Sequence, residues 1–200
     1  MTHVLVIGSR PDTEDPPDAF MDEVAAYCAA SQLVTVVRCE RLADFAATIA
    51  AVADGRVIDV LDIFDHGAAG TMWLGDGILF QSNADPASPL VGAAHAQAIA
   101  RCLAPCAQVR LLGCDVAAQP IGAPVAAAEA GRLLLVKLAR VLGRHRVVLG
   151  TIRDIGPALW TPDGLHPDAA DDTFFSSLAA LDGVPPSLAA RVEHLGALVG

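Results

Sequence analysis

Short apolar runs alternate with longer amphipathic stretches along this chain, and that alternation predicts the fold. Most of the runs are continuous and rich in β-branched residues, which is typical of parallel strands covered on both faces. The five predicted strands are residues 3–8, 33–38, 57–64, 108–113 and 146–152.

Helical patterns lie between these strands, and several have recognisable ends. Asp18 can cap the first, Gly55 follows the second, and Pro105 stops the third. Pro124 suits the first turn of the fourth. The predicted helices are residues 18–30, 40–54, 90–104 and 124–142. Strand–helix alternation of this kind predicts a doubly wound α/β sheet with right-handed crossovers.

Two segments depart from this rhythm. Within the glycine-rich residues 67–89, TMWLGDGILF predicts a small β-hairpin with its turn at residues 75–77. The tail from 156 to 186 contains five prolines and an acidic DAADD patch beside TFFSSLAAL, which predicts a short helix.

We find no internal repeat and no clear linker, so the sequence predicts a single domain. We expect it to span residues 1–200, with a core of about residues 1–155. The C-terminal Pro-rich segment and helices occupy 156–200.

Composition and charge exclude several classes of partner. The chain is 54% apolar, with few aromatic residues, so the core should be aliphatic. A formal charge of −10 disfavours nucleic acids and anionic membrane surfaces. No apolar run reaches the ~18–20 residues that span a bilayer, and the N-terminus lacks the features of a signal peptide. We therefore expect a cytoplasmic protein.

The cysteines do not form a disulfide framework, since their number is odd and no secretory signal precedes them. Cys102 and Cys106 are four residues apart and are predicted to share a helix face, where two small buried side chains are favoured over a metal site. The five cysteines are Cys28, Cys39, Cys102, Cys106 and Cys114.

Two predicted strands end in residues with catalytic chemistry. One runs into DHG (residues 65–67) and the next into GCD (residues 113–115). Ligands of open α/β sheets bind beyond the carboxyl ends of the strands, so we expect His66 and Cys114 to face each other. A cysteine nucleophile needs a base or cation within hydrogen-bond reach, and Gly67 lets a substrate approach its N–H group for an oxyanion hole.

An apolar strand ending in His-Gly, followed by one ending in Gly-Cys, resembles the caspase-like cysteine peptidases. This group includes caspases, gingipains, legumain, separase and CHAT domains. His66 and Cys114 are 48 residues apart, close to the roughly 50 residues between the caspase histidine and cysteine. The caspase pentapeptide around the cysteine is absent. The resemblance implies a catalytic dyad of His66 and Cys114, with an oxyanion hole formed by the N–H groups of Gly67 and Cys114.

A closer similarity covers about residues 57–156, in DHGAAGTMWLGDGIL … VRLLGCDVA … GRLLLVKLARVLG … VVLGTIRDIG. These motifs are similar to a bacterial domain family of unknown function, found near the N-termini of large surface proteins, with the pattern HG…LG…GCxVA…G. That family is related in fold to the caspase-like peptidases, but it brings no known activity. The stretch AQPIGAPVA (118–126) looks like an insertion beside the site.

The resemblance implies a three-layer α/β/α sandwich of caspase-like type. Its sheet is mostly parallel, with strand order 2-1-3-4-5 and a small hairpin after the third strand.

Charged residues near the strand ends are candidates for orienting the dyad or binding substrate. Asp65 and Asp115 flank the pair, and either can orient His66, although a capping role fits Asp115 at least as well. Arg10 and Arg153 follow the first and fifth strands, where caspases hold an acidic P1 side chain. Alternatively, Asp115 or Asp154 binds a basic P1 residue.

The function expected from these residues is peptide-bond hydrolysis by a cysteine peptidase acting on a protein or peptide substrate. It requires no metal and no organic cofactor. The runner-up is a catalytically inactive caspase-like domain that binds a protein or peptide as a regulatory module. A third alternative is a flavodoxin-like domain binding a small ligand at the same strand ends. Neither GxGxxG nor GxSxG is present, and the oligomeric state stays open.

Overall fold

Strands and helices alternate along the folded chain. The computed structural model describes residues 1–9, 19–117, 125–143, 145–165 and 173–177. In chain order the elements are β1 (His3–Gly8), α1 (Ala19–Cys28), β2 (Val34–Cys39), α2 (Phe45–Ala53), β3 (Ile58–Phe64), β4 (Gly67–Ala68), β5 (Thr71–Leu74), β6 (Gly77–Gln81), α3 (Ala93–Ala100), β7 (Leu103–Leu112), α4 (Val125–Leu142), β8 (Val147–Thr151), β9 (Trp160–Thr161), β10 (Gly164–Leu165) and β11 (Phe174–Ser176).

Six strands form the central sheet, in the order β2-β1-β3-β7-β8-β11. Neighbours from β2 to β8 run parallel, while β11 pairs antiparallel with β8 at one edge. Helices pack against both faces, so the predicted α/β architecture with a mostly parallel sheet is confirmed. The sheet has one strand more than the five predicted.

Side chains of the central strand β1 alternate between two cores. Val4 and Val6 pack with residues of α2, α3 and α4 on one face. Leu5 and Ile7 pack with residues of α1, and with Trp160, on the other. These four side chains are completely buried. A strand covered on both faces is apolar at successive positions, which explains the continuous apolar run in the sequence.

An ion-pair cluster lies within the second core. Asp62 of β3 is completely buried and accepts hydrogen bonds from Arg110 of β7, at 2.5 Å from Nε and 2.6 Å from Nη2. Nε2 of His3 lies 2.8 Å from Oδ2 of Asp62. Burial acts to raise the pKa of Asp62, but the charge of Arg110 and the hydrogen bonds from His3 and Arg110 hold it below its usual range.

The predicted hairpin is confirmed, since β5 and β6 pair antiparallel across Gly75-Asp76. The short strand β4 adds to β5 and completes a three-stranded sheet. Gly75 has a φ of +56°. A Cβ there would lie 2.8 Å from the carbonyl oxygen of Cys39. Since Asp76 also accepts a 2.7 Å hydrogen bond from the Leu42 N–H, the hairpin turn is fixed beside the end of β2.

The predicted helix over residues 90–104 is wrong at its C-terminal end. α3 ends at Ala100, and β7 begins at Leu103, which pairs with Ile58. Pro105 lies within β7 at a register irregularity opposite β3. Proline is tolerated at such a bulge because it has no N–H to donate.

Cys102 and Cys106 therefore do not share a helix face. Cys102 precedes β7 and Cys106 is exposed within it. Arg146 stabilises this turn from helix to strand, because its guanidinium donates hydrogen bonds of 2.8 and 3.0 Å to the carbonyl oxygens of Leu103 and Ala104.

The short helix predicted for TFFSSLAAL is also wrong in its first part. Phe174, Phe175 and Ser176 form β11 and pair with β8. Both phenylalanines are buried. Aromatic side chains suit a half-buried sheet position, and the edge of β8 would otherwise leave its backbone groups without strand partners.

Candidate functional site

The carboxyl ends of two adjacent parallel strands bring the predicted dyad residues into one region. Phe64, at the end of β3, pairs with Leu112, at the end of β7. The chain continues from these residues into Asp65-His66 on one side and Gly113-Cys114 on the other.

Gly67 and Gly113 press directly against each other beyond these strand ends. A Cβ on Gly113 would lie 2.8 Å from the Cα of Gly67 and 2.9 Å from its nitrogen. In the reverse direction, a Cβ on Gly67 would lie 2.8 Å from the carbonyl oxygen of Cys114. Real Cβ atoms do not tolerate such distances. The two glycines therefore allow the backbone segments that carry His66 and Cys114 to touch.

Asp65 fixes the backbone that presents His66. Its buried carboxylate accepts a 2.6 Å hydrogen bond from the His66 N–H and a 2.7 Å hydrogen bond from the Gly75 N–H. The His66 carbonyl oxygen accepts the N–H of Trp73 at 3.1 Å. These contacts anchor the backbone of residue 66 between the central sheet and the small sheet. The His66 side chain itself is exposed.

The turn that carries Cys114 is held by the end of β8. The Thr151 hydroxyl donates a hydrogen bond to the Gly113 carbonyl oxygen, and the Ala117 N–H donates to the Thr151 carbonyl oxygen at 2.8 Å. Asp115 adopts the left-handed conformation, with a φ of +54°, and its N–H lies 3.5 Å from the carbonyl oxygen of Arg153. A non-glycine residue in this conformation beside a candidate nucleophile is a strained feature of the kind found at functional sites.

The half-buried Cys114 thiol has acidic surroundings. Burial raises its pKa, and the carboxylates of Asp154 and Asp115 raise it further. A hydrogen bond with the backbone of Ile155 acts in the opposite direction. The pKa of Asp115 is raised as well, by burial and then by the charge of Asp154. The local field therefore favours the neutral thiol over the thiolate.

Of the two arginines predicted to bind substrate, the structure describes only one. Arg153 is exposed in the loop after β8. Arg10 lies outside the described residues, as does most of the stretch 118–126 that resembles an insertion.

Two contacts of the site were not predicted from the sequence. The first is the approach of the Arg153 carbonyl oxygen, in the loop after β8, to the Asp115 N–H at 3.5 Å. The second is the hydrogen bond that the Gly75 N–H donates to the Asp65 carboxylate, which joins the hairpin to the end of β3. The first contact had a sequence signal, since a loop that follows a strand lies at the carboxyl edge of the sheet. The second contact had none, because it depends on the register of the hairpin, which only the structure reveals.

In the described ranges, no three His, Cys, Asp or Glu side chains come together in a way that suits a metal ion. Of the helices that the structure describes, none combines the length and apolar character needed to cross a bilayer.

Comparison with models of protein families gives a match over much of the chain. The family model described as a domain of unknown function (DUF4347) matches residues 18–148. No significant match was found among curated proteins or among solved structures. The matched range includes β3, the hairpin, β7 and both dyad candidates. Since this range covers well over half of its length, the chain belongs to the family described as a domain of unknown function (DUF4347).

Proposed function

We propose that this chain is a cysteine peptidase of the caspase-like type, in which His66 and Cys114 form a catalytic dyad. The observation that carries the proposal is the direct contact of Gly67 with Gly113, which joins the two segments that present the imidazole and the thiol. The side chains follow the ends of neighbouring parallel strands, the usual place for ligands in an open α/β sheet.

The proposed reaction begins with transfer of the Cys114 thiol proton to His66, and the sulfur then attacks the scissile carbonyl carbon. The N–H groups of Gly67 and Cys114 bind the oxyanion that forms. The carbon–nitrogen bond then breaks, and the leaving amine takes a proton from the His66 imidazolium. His66 next removes a proton from water, whose oxygen attacks the thioester and releases the second product.

The protonation state of Cys114 gives this proposal a pH dependence. Since burial and the two neighbouring carboxylates raise the pKa of the thiol, only a small fraction is thiolate near neutral pH. Hydrolysis should therefore be slow near neutral pH. It should be lost as the pH rises through the titration of Cys114, because the dyad then no longer holds the proton that His66 delivers to the leaving amine.

The test is cleavage of a peptide mixture in which every amino acid occurs at the P1 position. Products are identified by mass spectrometry for the wild type, Cys114→Ala and His66→Ala. Cys106→Ala is the matched control, because Cys106 is an exposed cysteine outside the site. We expect cleavage by the wild type and the control only. Equal cleavage by Cys114→Ala, or no cleavage by the wild type at any P1 residue up to pH 9, refutes the proposal.

The acidic surroundings of Cys114 favour a second function, a catalytically inactive domain that binds a peptide. A raised thiol pKa opposes nucleophilic catalysis but leaves binding unaffected. This alternative predicts that wild type and Cys114→Ala retain the same peptides from an array and that neither releases products.

A further inference from the structure

The small sheet places Trp73 directly across from the candidate catalytic histidine. β4 pairs antiparallel with β5, with Gly67 opposite Met72. The preceding pair in the same register is His66 and Trp73, and the Trp73 N–H donates to the His66 carbonyl oxygen at 3.1 Å. Side chains of directly opposed residues project from the same face of a sheet, with their Cβ atoms about 5 Å apart. The Trp73 side chain therefore lies beside that of His66.

A β-bulge adds an aliphatic side chain to the same row. The register shifts between Trp73, which pairs with Ile78, and the residue before it. Leu79 is the additional residue of β6, and it is completely buried, as is Phe80. An extra residue of this kind lets two successive side chains face the core while the residues on either side of them face outwards. His66, Trp73 and Ile78 therefore form one outward-facing row across the small sheet.

A hydrogen bond between side chains supports this orientation. The Gln81 amide donates to the Thr71 hydroxyl at 3.2 Å, so these two polar side chains share a face of the small sheet. Trp73 follows Thr71 by two positions on β5, and alternate residues of a strand face the same way. Met72 and Leu74, which alternate with them, are completely buried on the other face.

The described cores do not account for Trp73 and Ile78. Both side chains are partly exposed. Among the residues that the structure describes, neither of the two belongs to a hydrophobic core or packs against one. An apolar surface of this kind beside a reactive group is typical of a site that binds a ligand.

We propose that Trp73 is a specificity-determining residue of the candidate site and binds an apolar side chain at the P1′ position of a peptide substrate. The side of the scissile bond follows from the chemistry, because His66 gives its proton to the leaving amine, which is the nitrogen of the P1′ residue. A side chain next to His66 therefore meets the substrate on that side. Ile78, the next residue in the row, extends the apolar surface.

This inference rests on the proposed function, since a P1′ position is defined only by a cleaved bond. The contact itself is measurable without turnover. The chain has two tryptophans, and Trp160 is buried. Quenching of tryptophan fluorescence by acrylamide therefore reports mainly on the accessible Trp73.

The test uses two mixtures of nonapeptides that differ only in the central residue, which is Leu or Phe in the apolar mixture and Ser or Asn in the polar mixture. Every amino acid except Trp occurs at the preceding position, and Ala, Ser, Arg and Asp occur elsewhere. In full-length Cys114→Ala, we expect the apolar mixture to protect Trp73 from acrylamide and the polar mixture to leave quenching unchanged.

Cleavage of the same mixtures tests the assignment to P1′. Trp73→Thr should lower cleavage before the apolar residues about tenfold and cleavage before the polar residues less than twofold. Threonine suits an outward strand position, and Trp73→Phe should retain the preference because it keeps an aromatic face. Ile78→Thr is a second variant with a smaller loss in the same direction. The matched control is Leu33→Thr, at an apolar residue that is 67% exposed and precedes β2 at the amino end of the sheet.

Protection by the apolar mixture alone supports the contact even if the wild type cleaves nothing, in which case only the peptidase proposal fails. Equal protection by both mixtures, or protection by neither, overturns the inference. Where the wild type does cleave, an unchanged preference in both Trp73→Thr and Ile78→Thr, or an equal loss in Leu33→Thr, also overturns it.

Discussion

The carboxylate of Asp65 occupies the space directly above Gly8. A Cβ on Gly8 would overlap the carboxylate and lie only 3.0 Å from the Asp65 Cβ. The last residue of β1 thus leaves room for the group that holds the N–H groups of His66 and Gly75.

Substituting Gly8→Ala should therefore destabilise the fold and disturb the candidate site together. The carboxylate must move, which adds overpacking and breaks buried hydrogen bonds, at a cost of about 2–4 kcal/mol. Urea denaturation measures the loss. Gly156→Ala is the control, because a Cβ there meets nothing within 4 Å and its φ of −111° suits any residue. Equal stability of the two variants would contradict the role given to Asp65.

The Asp62–Arg110 pair predicts how stability depends on pH. Because the folded pKa of Asp62 lies below the ordinary 3.8, its stabilisation is present above that pH and is lost as the pH falls through the folded pKa. Arg110→Met should cost about 3–5 kcal/mol at pH 7, since it leaves a buried carboxylate without its main partner.

The variant should also reverse the sign of the pH dependence. With Arg110 removed, burial raises the pKa of Asp62, so stability decreases as pH rises from 4 to 7. Urea midpoints at several pH values test this. In the double variant Asp62→Asn/Arg110→Met, this contribution to the pH slope should disappear. A single variant that retains the wild-type slope would show that another group controls acid stability.

Lys137 should stabilise the loop before α3. This buried lysine on α4 donates hydrogen bonds of 2.8 Å to the Asp85 carbonyl oxygen and 3.0 Å to the Ser88 hydroxyl. Lys137→Met keeps much of the side-chain volume but leaves both acceptors without this donor, so we expect a loss of about 1–3 kcal/mol. Hydrogen exchange should accelerate near residue 88. Arg140→Met, at an exposed position of the same helix, should change neither quantity.

The cysteines should differ in reactivity according to burial. Burial raises the pKa of Cys39 to about 11, so its thiolate is scarce at pH 8. Cys106 is exposed and should react first with a disulfide reagent at that pH. Cys39 should react only after denaturation, and quantitative peptide mapping in native buffer and in urea distinguishes the two. Rapid labelling of Cys39 in native buffer would show that β2 opens readily.

Local patterns predicted those features of the fold that depend on nearby residues. The continuous apolar run of β1 and the Gly-Asp-Gly turn of the hairpin each have a cause within a few positions. The start of β7 has no such local cause, because Leu103 pairs with the distant Ile58 and Arg146 donates hydrogen bonds to the bulge. Local residue preferences favour a helix at the start of β7, but pairing with residues distant in the sequence makes this segment a strand.

The candidate site was likewise predictable from the sequence only in part. The strand ends indicated His66 and Cys114, because the carboxyl edge of a parallel sheet can be inferred from the order of elements. The influence of Asp154 and Ile155 on the sulfur depends on the path of a loop beyond β8. No periodicity encodes that path, so only the three-dimensional structure reveals it.

The central position of β1 bears on how the chain can be divided for expression. The family similarity starts at residue 18, yet β1 lies at residues 3–8, between β2 and β3. A fragment cut at the limits of the similarity would lose an interior strand and expose two unpaired edges where none existed. The smallest autonomous folding unit is therefore larger than the recognisable motif, and its N-terminal boundary must precede His3.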